Sequence, residues 1–182
     1  MIDDRYKAAR SNRNWIIGSG VLVVSFLITL WISAPKPPAD VTPPPPQTPL
    51  AIFKSINVID PRSLSAAGAL AGLKATGDIK SIVDEVSRST DGRAKIKGWA
   101  VDLDGPGAPI SVLVFAAGNY VFEVQTKGPR ADVAQSLKIP AALAANATFE
   151  GAFSCTPGLP LYVVAVSQAN KYAAIGQHVC PS

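Results

Sequence analysis

The chain has 182 residues, a formal net charge of +4 and sixteen prolines. This length predicts one domain with appendages. The basic excess comes from the N-terminal tail, at Arg5, Lys7, Arg10 and Arg13, whereas residues 80–182 carry nine basic and eight acidic side chains. A nucleic-acid-binding domain needs basic side chains clustered on its folded part, so this charge distribution excludes nucleic acid as an expected partner.

Residues 15–33 predict a transmembrane helix. The stretch WIIGSGVLVVSFLITLWIS contains no charged side chain. At 1.5 Å rise per residue it spans roughly 28 Å, which is close to the hydrocarbon thickness of a bilayer. Trp15 and Trp31 lie near its two ends, where indole rings favour the headgroup level. We therefore expect the lipid bilayer as a partner and these two tryptophans as interface anchors.

An uncleaved anchor fits this stretch better than a cleaved signal peptide. The apolar run is longer than the roughly 7–15 residues of a secretory signal, and Pro35 follows Ser33-Ala34, which makes a poor cleavage site. The segment is therefore expected to remain in the mature protein as a single-pass signal anchor.

The flanking charges predict the orientation of this helix. Four Lys or Arg residues precede it and only Lys36 follows closely, so residues 1–14 are expected to form a cytoplasmic tail and the rest to be exported. The expected location is the inner membrane of a bacterium, with the C-terminal domain in the periplasm. Gly18, Ser19 and Gly20 either allow a second helix to approach closely or are ordinary content of a membrane helix.

Residues 34–50 predict a proline-rich linker. Proline fixes φ and has no N–H, so APKPPADVTPPPPQTPL is expected to form an extended polyproline II stalk of on the order of 50 Å. Residues 51–78 are expected to be a semi-ordered connector. They are rich in alanine and glycine, and each glycine weakens a helix by about 1 kcal/mol relative to alanine. A short helix docked on a partner or on the domain is the alternative.

Residues 79–182 predict an all-β domain. Seven short segments, most of them alternating between apolar and polar residues, are separated by turn signals such as Asp91-Gly92 and Gly118-Asn119. Segment 109–117 is apolar on both faces and is expected to be a central strand, and one short helix is expected within 128–147. The expected fold class is mainly β, an immunoglobulin-like sandwich of about seven strands carried behind the membrane helix and linker.

Two cysteines, Cys155 and Cys180, each end a predicted strand. An even cysteine count in an exported domain predicts a disulfide. By closing the loop between the two cysteines, it would contribute about 3 kcal/mol to stability. A metal pair needs more ligands than His178 supplies, and redox pairs have their cysteines close together in the sequence. We therefore expect a structural disulfide.

Two short motifs lie in this domain. Gly98-Trp99-Ala100-Val101-Asp102 is followed by Gly105 and by the strand from Pro109 to Phe115, and Arg130-Ala131-Asp132-Val133 comes later. Together, over roughly residues 93–135, they resemble bacterial β-sandwich modules that have a GWAxD opening and an RxDV turn. Such modules are appended to exported and cell-surface proteins, so the resemblance implies a non-catalytic β-sandwich.

The loop that begins at Asp102 is the first candidate for chemistry. Asp102-Leu103-Asp104-Gly105 resembles part of a calcium loop, but residues 106–109 supply no side-chain oxygen. Aspartate and glycine are equally typical of a tight turn, where they provide local hydrogen bonds and positive φ. We expect a turn, with calcium binding as the alternative.

No arrangement of residues in the sequence predicts catalysis. His178 is the only histidine, and Arg130 with Asp132 fits a structural ion pair or a turn cap. There is no nucleophile elbow, P-loop or metal motif. We expect no catalytic, cofactor-binding or metal-binding residue, and an enzyme is the least favoured function.

Four aromatic residues are candidates for a recognition surface. Trp99 is expected in the core, whereas Tyr120 and Tyr172 begin strands and are expected to be partly exposed; Tyr162 is the fourth. An anchor, a spacer and a binding-type fold without catalytic groups predict an accessory or assembly subunit of a larger membrane or envelope protein complex. The alternative is a membrane-tethered module that binds envelope glycan through the two exposed tyrosines.

Overall fold

The structure is a computed structural model that describes residues 46–182. The expected tail, membrane helix and most of the linker lie outside the described residues, and with them the candidates Trp15, Trp31, Gly18, Ser19 and Gly20. Within residues 46–182, no helix is long and apolar enough to cross a membrane. The described part is mainly β and forms two sheets, which confirms the predicted class.

The helices are α1 (Pro49–Lys54), α2 (Pro61–Leu70) and α3 (Ala131–Leu137), with a short 3₁₀ helix at Ala141–Ala144. The strands are β1 (Lys74–Ala75), β2 (Ile79–Arg88), β3 (Ala94–Asp102), β4 (Ser111–Ala116), β5 (Asn119–Gln125), β6 (Thr148–Phe153), β7 (Pro160–Val166) and β8 (Lys171–Val179). The seven longer strands correspond to the seven predicted segments, and β1 is additional.

The larger sheet has five strands in the order β1-β8-β7-β4-β5. Strand β4 lies between β7 and β5, antiparallel to both. Its side chains alternate between two buried environments, with Val112 and Val114 on one face and Leu113 and Phe115 on the other. This confirms the prediction of a central strand, because only a strand covered on both faces is apolar throughout.

The smaller sheet has three antiparallel strands in the order β2-β3-β6. Its inward residues, among them Ile96, Ala100 and Phe149, pack against the inner face of the larger sheet and form the sandwich core. A bulge at Asp84 interrupts the pairing of β2 with β3. Gly98 lies opposite this bulge, and a Cβ there would overlap the Phe149 ring. The glycine of the GWAxD motif therefore allows the two strands and the core to close.

Helices α1 and α2 cover the outer face of the larger sheet. Their buried residues Phe53, Leu64 and Ala67 form, with sheet residues such as Phe115 and Tyr162, a second apolar cluster that we call the helix-side core. The expected semi-ordered connector thus contributes helices that pack on the domain. The sequence encodes α2 through a capping box, in which Asp60 and Ser63 each bond the backbone of the other.

Helix α3 and the 3₁₀ helix cover the outer face of the smaller sheet. Trp99 is 9% exposed and packs there with Val101, Val133 and Ala144. Its predicted burial is confirmed, but the ring lies on the outer side of the sheet instead of between the two sheets. The reason is strand alternation, because Ala100 next to it faces the sandwich core.

Candidate functional site

The loop after β3 is a tight turn. The Asp102 side chain accepts a hydrogen bond from the Asp104 N–H at 3.2 Å, and the Gly105 N–H donates to the Asp102 carbonyl at 3.1 Å. These local bonds are those that aspartate makes in turns. The geometry therefore accounts for Asp102 and Gly105 by backbone structure.

Lys171 of β8 lies among the carboxylates of this region. Its Nζ is 3.1 Å from Asp104 Oδ2, 3.6 Å from Asp102 Oδ1 and 3.9 Å from Asp78 Oδ2. The hydrogen bond with Asp104 raises the pKa of Lys171, and the Thr76 hydroxyl lowers the pKa of Asp78. The lysine thus offsets part of the negative charge of these carboxylates. Within residues 46–182 no group of three or more acidic, histidine or cysteine side chains is arranged to hold a metal ion.

Arg130 of the RxDV motif joins two elements. Its Nε and Nη2 donate to the Asp132 carboxylate at 2.8 and 2.7 Å, and its Nη1 donates to Asp84 at 3.0 Å. The hydrogen bond to Arg130 lowers the pKa of Asp132 to about 2, while these bonds raise the pKa of Arg130. Arg130 therefore ties the start of α3 to the bulge of β2. Val133 of the same motif packs in the cluster around Trp99.

His178 is half-buried near the end of β8, and burial lowers its pKa. It forms no hydrogen bond or ion pair with any side chain in the part of the chain that the structure describes. A general base is normally oriented by a third group. The surroundings of His178 therefore do not define a catalytic site.

The two candidate recognition tyrosines have different environments. Tyr172 is 5% exposed and lies beneath α2, so the expectation of a partly exposed ring at this position is wrong. Tyr120 is half-buried, packs edge-on against Phe115 and carries the Lys54 ammonium over its ring. Tyr162 is buried as well. The described tyrosines therefore do not form a continuous aromatic platform.

Cys155 and Cys180 form a disulfide with a Cα–Cα distance of 6.2 Å, as predicted. Cys155 follows β6 of the smaller sheet, whereas Cys180 follows β8 of the larger sheet. The bond therefore joins the two sheets at one end of the sandwich and fixes the C-terminus to the core.

A groove of about 500 Å³ runs beside β8. One wall is helix α2, through Pro61, Leu64 and Ser65, and the opposite wall is the segment from Ala75 to Lys80. Tyr172, Ala173 and Ala174 form its floor. The small side chains of Ala173 and Ala174 leave the backbone of β8 beside them open to an approaching molecule.

The main chain of β8 has unpaired groups in this groove. The Ser167 N–H donates to the Lys171 carbonyl at 2.8 Å, so Lys171 is hydrogen-bonded to β7. Along an antiparallel ladder, hydrogen-bonded and non-hydrogen-bonded residues alternate. Tyr172 and Ala174 therefore direct their main-chain groups away from β7. The Tyr172 carbonyl accepts a hydrogen bond from Thr76 at 3.0 Å. Strand β1 ends there, and Ala174 has no backbone partner on this side among the described residues.

The open edge continues toward the end of the strand. The Cys180 N–H donates to the Leu159 carbonyl at 2.8 Å, so by the same alternation Gln177 and Val179 also direct their main-chain groups away from β7. The sequence did not predict this edge. No local pattern marks it, because whether a strand lies at an edge depends on the order of strands in the sheet.

Comparison of the chain with protein families, curated proteins and solved structures found no match. The resemblance to GWAxD and RxDV modules therefore stays a prediction. The candidate site is therefore described by its own geometry alone.

Proposed function

We propose that this chain is a non-catalytic accessory or assembly subunit of a larger bacterial inner-membrane or envelope protein complex. In this proposal residues 15–33 are a single-pass anchor with the N-terminus in the cytoplasm, and the β domain lies in the periplasm. The proposal is supported by the charge-free apolar stretch in the sequence. The disulfide between Cys155 and Cys180 supports export, because disulfides persist in oxidising compartments.

One observation carries the non-catalytic part of this proposal. The side chains with the strongest potential for chemistry are engaged in contacts that hold the fold together: Asp102 and Asp104 with Lys171, and Arg130 with Asp84 and Asp132. The groove beside β8, in contrast, combines polar and apolar side chains with unpaired main chain. Such a surface suits binding of a protein segment better than it suits a reaction.

We further propose that the domain is an immunoglobulin-like sandwich. Strand orders β2-β3-β6 and β8-β7-β4-β5 support this, because they correspond to strands A-B-E and G-F-C-C′ when β2 is taken as strand A. Strand β1 and the helices α1 and α2 are additions to that plan. Immunoglobulin-like sandwiches commonly serve as binding modules. A binding role for this domain is, to that extent, inferred by analogy of fold.

Purification of the native protein from its own membranes tests the proposed function. Solubilised in a mild detergent, the full chain is expected to elute with at least one other protein at a constant molar ratio through two different columns. The matched control is a variant whose residues 15–33 are replaced by an unrelated membrane helix. A wild-type chain that elutes alone under several mild detergents would contradict an accessory role.

A further inference from the structure

The edge of β8 offers hydrogen-bonding groups in strand geometry. Ala174, Gln177 and Val179 turn their main-chain N–H and C=O groups away from β7, and strand β1 pairs only with Lys171 and Tyr172. Six residues from 174 to 179 extend about 20 Å. An unpaired strand edge of this kind is a template for another extended segment.

The surroundings of this edge favour an added strand in line with β1. Strand β1 already runs parallel to β8 and leaves the sheet after Ala75. Beyond that point the groove continues between α2 and the start of β2, with the small residues Ala173 and Ala174 beneath it. Val179, at the far end of the edge, is 60% exposed and offers an apolar contact.

The charge of the groove selects for an acidic side chain. Lys80 is the only charged residue that lines it, and Lys80 forms no ion pair within residues 46–182. The neighbouring Asp78 carboxylate accepts a hydrogen bond from Thr76 at 2.5 Å and faces Lys171. The positive charge of Lys80 is therefore available to a ligand.

We propose that an extended segment of a partner protein, bearing an acidic side chain, adds to β8 as a strand in line with β1. Main-chain hydrogen bonds to Ala174, Gln177 and Val179 hold the segment, and its carboxylate pairs with Lys80. The inference rests on the proposed function, because it assumes that the domain binds protein.

A synthetic peptide tests the edge directly. The probe is a capped six-residue peptide of alternating threonine and valine with one central glutamate, titrated against the ¹⁵N-labelled full chain in detergent micelles. We expect saturable amide shifts centred on Ala174, Gln177 and Val179. The same peptide with alternate amides N-methylated should bind at least tenfold more weakly, because it cannot form the ladder. Equal binding of both peptides, or no shifts at these amides, overturns the proposal.

Two substitutions on the protein complete the test. Ala174→Pro removes an N–H that the fold leaves unpaired, so it should abolish peptide binding with little change in the unfolding midpoint, whereas Ala174→Ser keeps the N–H and should bind normally. The wild-type protein should bind the glutamate peptide about threefold more tightly than a peptide with lysine at the same position, as expected for an exposed ion pair. Lys80→Glu should reverse this preference. An unchanged preference overturns the charge assignment even if Ala174→Pro fails to fold.

The native complex separates this inference from the proposed function. If Ala174→Pro loses the co-purifying protein and Ala174→Ser keeps it, the result supports both the accessory role and the added strand on β8. If both variants keep the partner and the peptide does not bind, the edge is not the contact, but the accessory role remains. If a photo-crosslinker at residue 174 captures only a second copy of this chain, β8 is a self-association edge and the proposal fails.

Discussion

At the level of single residues, Gly68 decides how closely helix α2 approaches the larger sheet. It is buried, and a Cβ there would lie 2.6 Å from the Tyr172 Cζ. Alanine normally stabilises a helix by about 1 kcal/mol over glycine, so a purely local view predicts that Gly68→Ala is favourable. Because the ring belongs to a packed cluster, we expect instead a loss of about 1–3 kcal/mol.

Chemical unfolding of the full chain in mild detergent measures this loss. The matched control is Ala69→Gly, at an exposed position of the same helix, which should lose only about 1 kcal/mol through helix propensity. A Gly68→Ala variant as stable as the wild type would mean that α2 does not rest on Tyr172.

Two buried hydroxyls provide a second contrast at this scale. The Thr126 hydroxyl accepts a hydrogen bond from the Ile110 N–H at 2.9 Å, whereas the Ser167 hydroxyl is buried without a partner among the described residues. Thr126→Val should destabilise by about 1–3 kcal/mol, because it leaves a buried N–H unpaired. Ser167→Ala should be neutral or stabilise by up to about 1 kcal/mol. Unfolding free energies of both variants test the pair, and equal losses would contradict the assignment.

The ion pair between Arg130 and Asp132 has a signature in pH. The folded pKa of Asp132 is about 2, below the value of about 3.9 for an unfolded aspartate. Its contribution to stability is therefore present above pH 4 and is lost as the pH falls toward 2. In Arg130→Gln, the Asp132 pKa measured by carboxyl NMR should rise toward 3.9. A pKa that stays near 2 would assign the shift to another group.

At the level of elements, the strands were more predictable than the helices. Strand β4 is apolar from Val112 to Ala116 because helices and the second sheet cover its two faces, and this pattern is visible in the sequence. Helix α2 carries a weaker signal. It packs through Leu64, Ala67 and Gly68, and alanine and glycine on the buried side give little contrast with the exposed alanines.

The open edge of β8 could not be predicted, because edge status depends on strand order, which is a property of the whole sheet. The same holds for Lys171, whose carboxylate partners Asp78 and Asp102 lie far from it in the sequence. The spacing around Asp102 indicated the turn, but the loop gave no sign of a distant lysine. The burial of Tyr172 was missed for a related reason, since the helix that covers it was expected to be a connector.

The disulfide is a link between elements, and its removal should weaken the join between the sheets. It closes a loop with a sequence separation of 25 residues, which corresponds to about 3 kcal/mol in the chain-entropy model. Reductant should therefore lower the unfolding free energy of the full chain by about this amount. The control is the double variant Cys155→Ser/Cys180→Ser, whose stability reductant should not change. A wild type insensitive to reductant would contradict the bond.

At the level of the whole molecule, the folding unit begins well before the first long strand. Residues 46–182 form one compact unit, in which α1 and α2 cover the side chains of Leu113, Phe115 and Val164. A fragment of residues 79–182 would expose this surface. We expect it to aggregate and to bind a hydrophobic dye strongly, whereas a fragment of residues 46–182 should be monomeric with weak dye binding. Size-exclusion chromatography with light scattering measures the difference, and a monodisperse shorter fragment would contradict the role of the helices.

The covalent link between Cys155 and Cys180 also affects how the domain transmits force. Tension applied between Pro46 and the C-terminus would pass through the two sulfur atoms and bypass β7 and β8. The extension on full unfolding is then about 80 Å shorter than for the reduced chain, at roughly 3.4 Å per residue less the span of the disulfide itself. In the oxidised state, the hairpin of β7 and β8 therefore bears no tension while the rest of the domain is extended.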